Sequence, residues 1–210
     1  MSYRRDELRF NGWGLRRKTF DLRGRDDEVW AFVREALGMA SLPSTPPTAL
    51  EDIALPEVRL SDEVLAGLRS ITADERVCTD AYERAFHAVG KSYYDMVRIR
   101  AGEVPDAPDA VVYPLSHEEV VAILAACAEA KVAVVPFGGG SSVVGGVEAR
   151  RGDGHAGLVT LDTTRMDRLI EIDETSHTAT FQAGIYGPAL EEKLAARGYT
   201  LGHFPQSFEF

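Results

Sequence analysis

Residues 132–146 read V-A-V-V-P-F-G-G-G-S-S-V-V-G-G, a continuous apolar run that passes with a single aromatic between into three glycines, two serines and a second glycine pair. The run Val132–Pro136 is β-branched at three of its five positions, which predicts a buried strand. Three glycines end that strand, since they lose much conformational freedom on folding and bring no side chain to pack. They also leave no Cβ to hold a ligand away, and their N–H groups can converge as an anion-binding concavity. Ser141 and Ser142 add hydroxyl donors, and Gly145-Gly146 allows a second close approach. A phosphate or pyrophosphate, accepting several N–H bonds at once, suits such a surface. The plainer alternative is a flexible turn between strands. No Gly-Lys-Ser/Thr follows, so this is not a P-loop, and Val143 stands where G-x-G-x-x-G needs its third glycine.

The surrounding pattern alternates strand and helix. Ala110–Tyr113 is a short apolar strand closed by Pro114. Ser116 and Glu119 make an S-x-x-E capping box in which Glu119 reaches back to the cap. Val120, Val121, Ile123, Leu124, Cys127 and Ala128 supply the buried stripe of the helix they open. With the strand at Val132–Pro136 this makes a βαβ unit and a parallel strand pair. Gly157–Leu161, Leu169–Asp173 and Thr178–Ala183 read as further strands, the last two joined as a hairpin by Glu174-Thr175-Ser176-His177. Pro188–Arg197 is a helix stopped at Gly198, and Tyr199–Leu201 a possible strand. Upstream, Asp26–Leu37 is a helix with an apolar face of Val29, Trp30, Val33 and Leu37. Ser41–Pro56 is an extended connector. Ser61 and Thr79 are N-caps for helices at Asp62–Ser70 and Asp80–Val89. Arg98–Asp109 reads as a linker. The fold class is therefore α+β with a mixed sheet, preceded by a helical N-terminal region, divided as 1–105 and 106–210.

Composition narrows the function. The 210 residues carry 23 Lys+Arg against 33 Asp+Glu, a net charge of −10, which is a poor fit to nucleic acid. Eight basic side chains fall within residues 1–25, among them Arg4, Arg5, Arg9, Arg16, Arg17 and Lys18. They are interleaved with Phe10, Trp13, Leu15 and Phe20, which suggests a strip laid on the protein's own acidic body. No apolar run approaches the roughly 20 residues of a membrane span, and no signal-peptide core opens the chain. Cys78 and Cys127 are far apart and in no metal-ligand spacing, so the expectation is a cytoplasmic protein with buried thiols and no metal. His87, His117, His155 and His177 show no spacing for zinc. Glu118-Glu119 is better explained by the helix N-terminus than as an acid–base pair. Tyr93-Tyr94 and Trp13 read as packing, His203 as a structural turn residue, and Asp162 as a strand-end residue that orients the loop or approaches its ligand.

At the loop the chain becomes similar to a known family. Val135–Val143 (V-P-F-G-G-G-S-S-V) resembles the pyrophosphate loop of FAD-linked oxidases of the vanillyl-alcohol oxidase type, with their PCMH-type FAD-binding domain. Within these it looks most like the alkyldihydroxyacetonephosphate synthase (alkylglycerone-phosphate synthase) branch. Four more stretches match that branch in order: Phe10-Asn11-Gly12-Trp13-Gly14, Arg84–Gly90 (R-A-F-H-A-V-G), Leu161–Met166 (L-D-T-T-R-M) and Gly202–Phe210 (G-H-F-P-Q-S-F-E-F).

The resemblance implies that Pro136, Phe137, Gly138, Gly139, Gly140, Ser141, Ser142 and Val143 contact the FAD pyrophosphate. It also implies that Gln206, Ser207, Phe208, Glu209 and Phe210 begin a second flavin-contacting stretch, with Gln206 standing where the family has Asp. Ser141 stands where some relatives attach flavin through histidine, which implies non-covalent FAD. The family reaction exchanges an acyloxy group of acyl-dihydroxyacetone phosphate for a fatty alcohol, an ether-lipid step without net redox change. An FAD-dependent 2-hydroxyacid dehydrogenase is the rival reading, though such enzymes generally lack the N-terminal stretch. A non-catalytic phosphate-ligand or interaction module is the third. The catalytic residues of the family would lie beyond Phe210, so none is named and the chain is expected to be inactive alone. A partial FAD domain should leave apolar surface and strand edges uncovered. The expected partners are a small-molecule or lipid-like substrate and, for the full-length protein, a second copy.

Overall fold

The computed structural model describes residues 7–18 and 21–209. Three strands share one direction: β2 (Ala110–Val112) and β3 (Val132–Phe137) each pair in parallel with β4 (Gly157–Asp162). β1 (Val77–Cys78) adds antiparallel to β2, so the mixed sheet runs β1-β2-β4-β3. The βαβ unit is corrected in one respect, because its two strands are not neighbours and β4 inserts between them. The reason lies in β4 itself. All six of its residues are buried, and such a strand takes the position flanked on both sides and covered on both faces. Among the described residues β3 is an edge strand of this sheet. β5 (Leu169–Asp173) and β6 (Thr178–Phe181) form the expected hairpin as a separate two-stranded sheet.

The main core lies between the sheet and two helices, α2 (Asp62–Ile71) and α5 (His117–Glu129). Leu65, Leu68, Ile123 and Cys127 meet Val112, Val159 and Leu161 there. Burial pushes the Cys127 thiol up to about 11, so it is a packing residue rather than a nucleophile. The α5 stripe is narrower than its sequence suggests: Ile123 and Cys127 are buried, while Val121, Leu124 and Ala128 are exposed because only one side of the helix meets sheet and α2. Ser61 and Ser116 cap these helices as expected. The Glu119 carboxylate, however, accepts from the N–H of Leu115 at 2.8 Å and pairs with Arg76 at 2.6 Å rather than reaching the cap residue's own N–H. The Arg76 guanidinium holds that carboxyl below its usual range against the opposing effect of burial.

Three further readings change. Asp80, not Thr79, caps α3 (Ala81–Phe86), which is shorter than expected because Ala88 and Val89 leave it to enter a second core with Ile53 and Ile99. A helix not anticipated from sequence, α4 (Tyr93–Arg100), is opened by a reciprocal Ser92/Asp95 capping box. It turns Tyr93 and Tyr94 outward, 79% and 78% exposed, so neither is a packing residue. Arg98–Asp109 is no free linker. It begins as the last turn of α4 and then buries Val104, Ala107, Pro108 and Asp109. Asp109 accepts from the N–H groups of Arg59 and Leu158 at 2.8 Å each and from Arg151 at 2.6 Å, which ties the segment to β4.

α6 (Gly187–Ala195) follows the hairpin. Tyr199–Leu201 forms no strand, since the Glu191 carboxylate rather than a neighbouring strand takes the N–H groups of Leu201 and Gly202. α1 (Asp26–Leu37) buries no residue and leaves Trp30 and Leu37 outward. Among the described residues, no helix is long and apolar enough to cross a membrane.

Candidate functional site

The glycine loop leaves β3 at the carboxyl end of the parallel strands, the end at which open α/β sheets bind ligands. Among the described residues, none of the backbone N–H groups of 138–142 donates to a protein acceptor. Gly138, Gly139, Ser141 and Ser142 are half-buried and Gly140 is buried, so the backbone N–H groups of this loop are open to an acceptor from outside the fold. Gly138 faces open space, with no heavy atom within 4 Å of where a Cβ would stand. Gly140 has a different reason to be glycine. Its φ is +68°, and a Cβ there would lie 2.3 Å from the ring of Phe137. Both serines border the concavity, but Ser142 is also a brace. Its carbonyl accepts from Lys91 N–H at 2.7 Å, and its hydroxyl accepts from the N–H of Gly146 at 3.0 Å. Gly90 must lack a Cβ because it packs against that same carbonyl. Val143 is 57% exposed and Pro136 also points outward.

Below the loop the strand end is locked by a buried polar pair that sequence reasoning did not connect. His87 and Asp162 are both fully buried, and His87 Nε2 lies 2.9 Å from Asp162 Oδ2. His87 Nδ1 faces the Glu83 carbonyl at 2.7 Å. The other Asp162 oxygen accepts from the N–H and hydroxyl of Thr164 at 2.8 and 2.5 Å. Asp162 is the register partner of Phe137, and Thr163 N–H donates to the Phe137 carbonyl at 2.9 Å. Both Asp162 oxygens are thus engaged by protein groups at the end of β4, the loop's neighbour. The Phe137 side chain is buried beneath Gly140, its ring 4.3 Å from that of His87.

Above the loop sits the N-terminal strip. Leu8 and Leu15 form an antiparallel bridge, with the chain reversing near Gly14 at φ +76°, and both leucines pack on Phe86 and Phe137. The strip therefore docks on the body, but mainly through its apolar residues. Arg9 donates to the carbonyls of Leu15, Arg16 and Lys18, and Arg16 to that of Leu8, so these cations staple the hairpin itself. Lys18 reaches the acidic body, its ammonium 3.0 Å from the Glu209 carboxylate. Trp13 is not a core residue. It is 43% exposed and lines a cleft with Arg9, Phe86, Lys91, Gly139 and Ser141.

The second predicted stretch forms a turn after α6. Phe208 packs on Gly187 and Phe204, Ser207 and Glu209 are half-buried, and Gln206 is exposed. Glu209 of this turn accepts from Lys18 of the N-terminal strip at 3.0 Å. Phe210, like Arg4, Arg5 and Phe20, lies outside the described residues.

Residues 108–210 match the FAD binding domain family. That part of the chain is an FAD-binding domain of the PCMH type. It is 31% identical to alkyldihydroxyacetonephosphate synthase of Trypanosoma brucei brucei, over 98% of this chain and 36% of that protein. A solved structure of an alkyldihydroxyacetonephosphate synthase superposes with a TM-score of 0.84 at 31% identity, covering 97% of this chain and 41% of that one. A probable mitochondrial D-lactate dehydrogenase of Danio rerio is 28% identical over 65% of the chain and 25% of its own length. The chain thus spans between a quarter and little more than a third of the length of these two curated relatives. FAD is the cofactor of the family, and the acceptor-free amides and open Cβ position of Gly138 fit its diphosphate.

Proposed function

We propose that this chain is the nucleotide-holding part of a flavoenzyme of the alkylglycerone-phosphate synthase type. Residues 136–143 take the diphosphate of FAD on bare backbone, and residues 206–210 begin a second contact. The observation that carries this reading is the row of five amides, 138–142, without protein acceptors. Bound flavin would supply the reactive ring system. The chain's own part is to bind and orient it: the amides grip the diphosphate, Gly138 leaves room for it, and the His87–Asp162 pair keeps the strand end from shifting. Ser141 offers a hydroxyl where a covalent link would need a histidine or thiol, so the cofactor is held non-covalently. The substrate is then an acyl-dihydroxyacetone phosphate, with exchange of its acyl for an alkyl group.

The rival is an FAD-dependent 2-hydroxyacid dehydrogenase. Similarity extending through the N-terminal hairpin supports the first reading, because the dehydrogenase match spans only 65% of the chain. The test is made on the full-length gene product. Heating should release intact FAD into solution, and fatty alcohol should displace the acyl group of acyl-dihydroxyacetone phosphate. Bleaching of the flavin's visible absorbance by a D-2-hydroxyacid, without acyl exchange, would favour the dehydrogenase. A colourless protein that takes up no FAD would defeat both.

A further inference from the structure

His87 and Asp162 are fully buried beneath the glycine loop, and the oxygens around the imidazole fix how many protons it carries. Nδ1 faces the Glu83 carbonyl at 2.7 Å, an oxygen that can only accept, so Nδ1 is a donor. Nε2 faces Asp162 Oδ2 at 2.9 Å. The other oxygen of that carboxylate takes both the N–H and the hydroxyl of Thr164, as an ionised carboxylate does. We propose that His87 is a positioning residue that holds the cofactor loop in shape as an imidazolium, with a proton on each ring nitrogen. This rests on the flavin reading above and concerns what keeps its site assembled.

The surroundings suit a charged ring. A buried cation is tolerated where it is paired and hydrogen-bonded. His87 meets two carboxylates, Asp162 and, 3.5 Å from Nδ1, Glu83. Glu83 is itself held by the Tyr113 hydroxyl, which donates to it at 2.5 Å. The rings of Phe137 and Phe86 are centred 4.3 and 5.3 Å from the imidazole, within the range at which an aromatic ring attracts a cation. The cations of the neighbourhood engage other groups. Arg84 donates to the carbonyls of Pro56 and Pro108, Arg165 stands 4.6 Å from the centre of the Tyr113 ring, and the Lys91 ammonium stands 5.2 Å from that of Phe86.

The imidazolium sits where the two limbs that shape the loop come together. On one side, Asp162 is the register partner of Phe137, whose carbonyl takes Thr163 N–H and whose ring underlies Gly140. On the other, the chain runs from His87 to Gly90 and Lys91, which hold the Ser142 carbonyl, while the Ala88 carbonyl accepts from Ala149 N–H beyond the loop. The His87–Asp162 bond thus ties the strand that enters the loop to the segment that braces its exit. Without the Nε2 proton a lone pair would stand 2.9 Å from a carboxylate, and the two limbs would part. A diphosphate that needs several of the amides 138–142 at once then loses its grip.

The experiment uses the full-length gene product with isotope-labelled histidines, and a His87→Gln form to assign the imidazole signal. At about pH 7, where an ordinary imidazole is mostly neutral, His87 should show two N–H protons. As pH rises and the Nε2 proton leaves, FAD affinity should fall by about tenfold, the scale of one hydrogen bond to a charged group. Asp162→Asn supplies the contrast, because its amide N–H can donate to a neutral Nε2 while its oxygen keeps Thr164. That variant should show a single N–H on His87 and an FAD affinity that no longer follows this titration. A single N–H in the unmodified protein at about pH 7, or the same pH dependence of affinity in both forms, overturns this inference while the flavin reading stands. A protein that takes up no FAD at any pH removes the flavin reading and this inference with it.

Discussion

Gly138→Ala adds one methyl group to a position with no heavy atom within 4 Å and with a backbone outside the left-handed region. In the ligand-free protein that methyl meets nothing. Alanine also has fewer unfolded conformations to lose than glycine, so stability should be unchanged or rise by up to about 1 kcal/mol. The ligand experiences the opposite. A methyl standing in the approach lifts a diphosphate oxygen off at least one charged hydrogen bond worth about 1.5–3 kcal/mol, or roughly 10- to 100-fold in Kd. Gly140→Ala supplies the contrast. Its left-handed φ costs about 1–2 kcal/mol for a residue with a Cβ, and that Cβ would fall 2.3 Å from a Phe137 ring confined by Phe86 and His87. Overpacking of that kind costs about a further 1–3 kcal/mol. Urea unfolding of the ligand-free proteins and titration with FAD separate the two quantities. The expected result is opposite signs for Gly138→Ala, with stability kept and affinity lost. If Gly138→Ala destabilises as much as Gly140→Ala, or binds FAD as the unmodified protein does, the loop is not an open cradle.

Two other predictions concern the scaffold. Asp109→Ala strips the acceptor from Arg59, Leu158 and Arg151 and leaves the mostly buried Arg151 guanidinium without its carboxylate, which should cost about 3–5 kcal/mol in a denaturant titration. A loss below about 1 kcal/mol would contradict the network. Glu119 is held low by Arg76, so the folded protein releases its proton more readily than the unfolded chain does. That stabilisation is complete above the ordinary carboxylate range and is lost as pH falls through the lowered pKa. The stability advantage of the unmodified protein over Glu119→Gln should therefore be constant near pH 7 and shrink in acid, and a constant difference down to about pH 3 would refute it.

The features legible in the sequence are those whose chemistry is local. Three glycines after an apolar run imply a bare main-chain turn whatever surrounds them, and Ser61 and Ser116 announce helix starts from within one turn. The hairpin at 169–181 follows from alternation and a polar turn. What was hidden depends on distant partners. β4 inserts between β2 and β3 because of its burial on both faces, which pairing of neighbours in sequence does not reveal. α4 was missed although Ser92 and Asp95 are a capping pair, because an aspartate filled the place usually sought as glutamate and the stripe behind it is weakly apolar. The segment 101–109 looks polar, yet the small residues Ala107 and Pro108 fit a tight space that composition does not record. His87 and Asp162 lie 75 positions apart, and no spacing rule links them. The hairpin's basic residues invited an ion-pair reading, whereas Arg9 and Arg16 bind carbonyls of their own turn.

A crystal structure of the full-length protein with FAD bound tests the account most directly. The account predicts oxygens of the diphosphate bridge about 3 Å from the amide nitrogens of residues 138–142, with Gly138 in direct contact. A flavin nucleotide lodged elsewhere, with those five amides satisfied by protein groups, would contradict it.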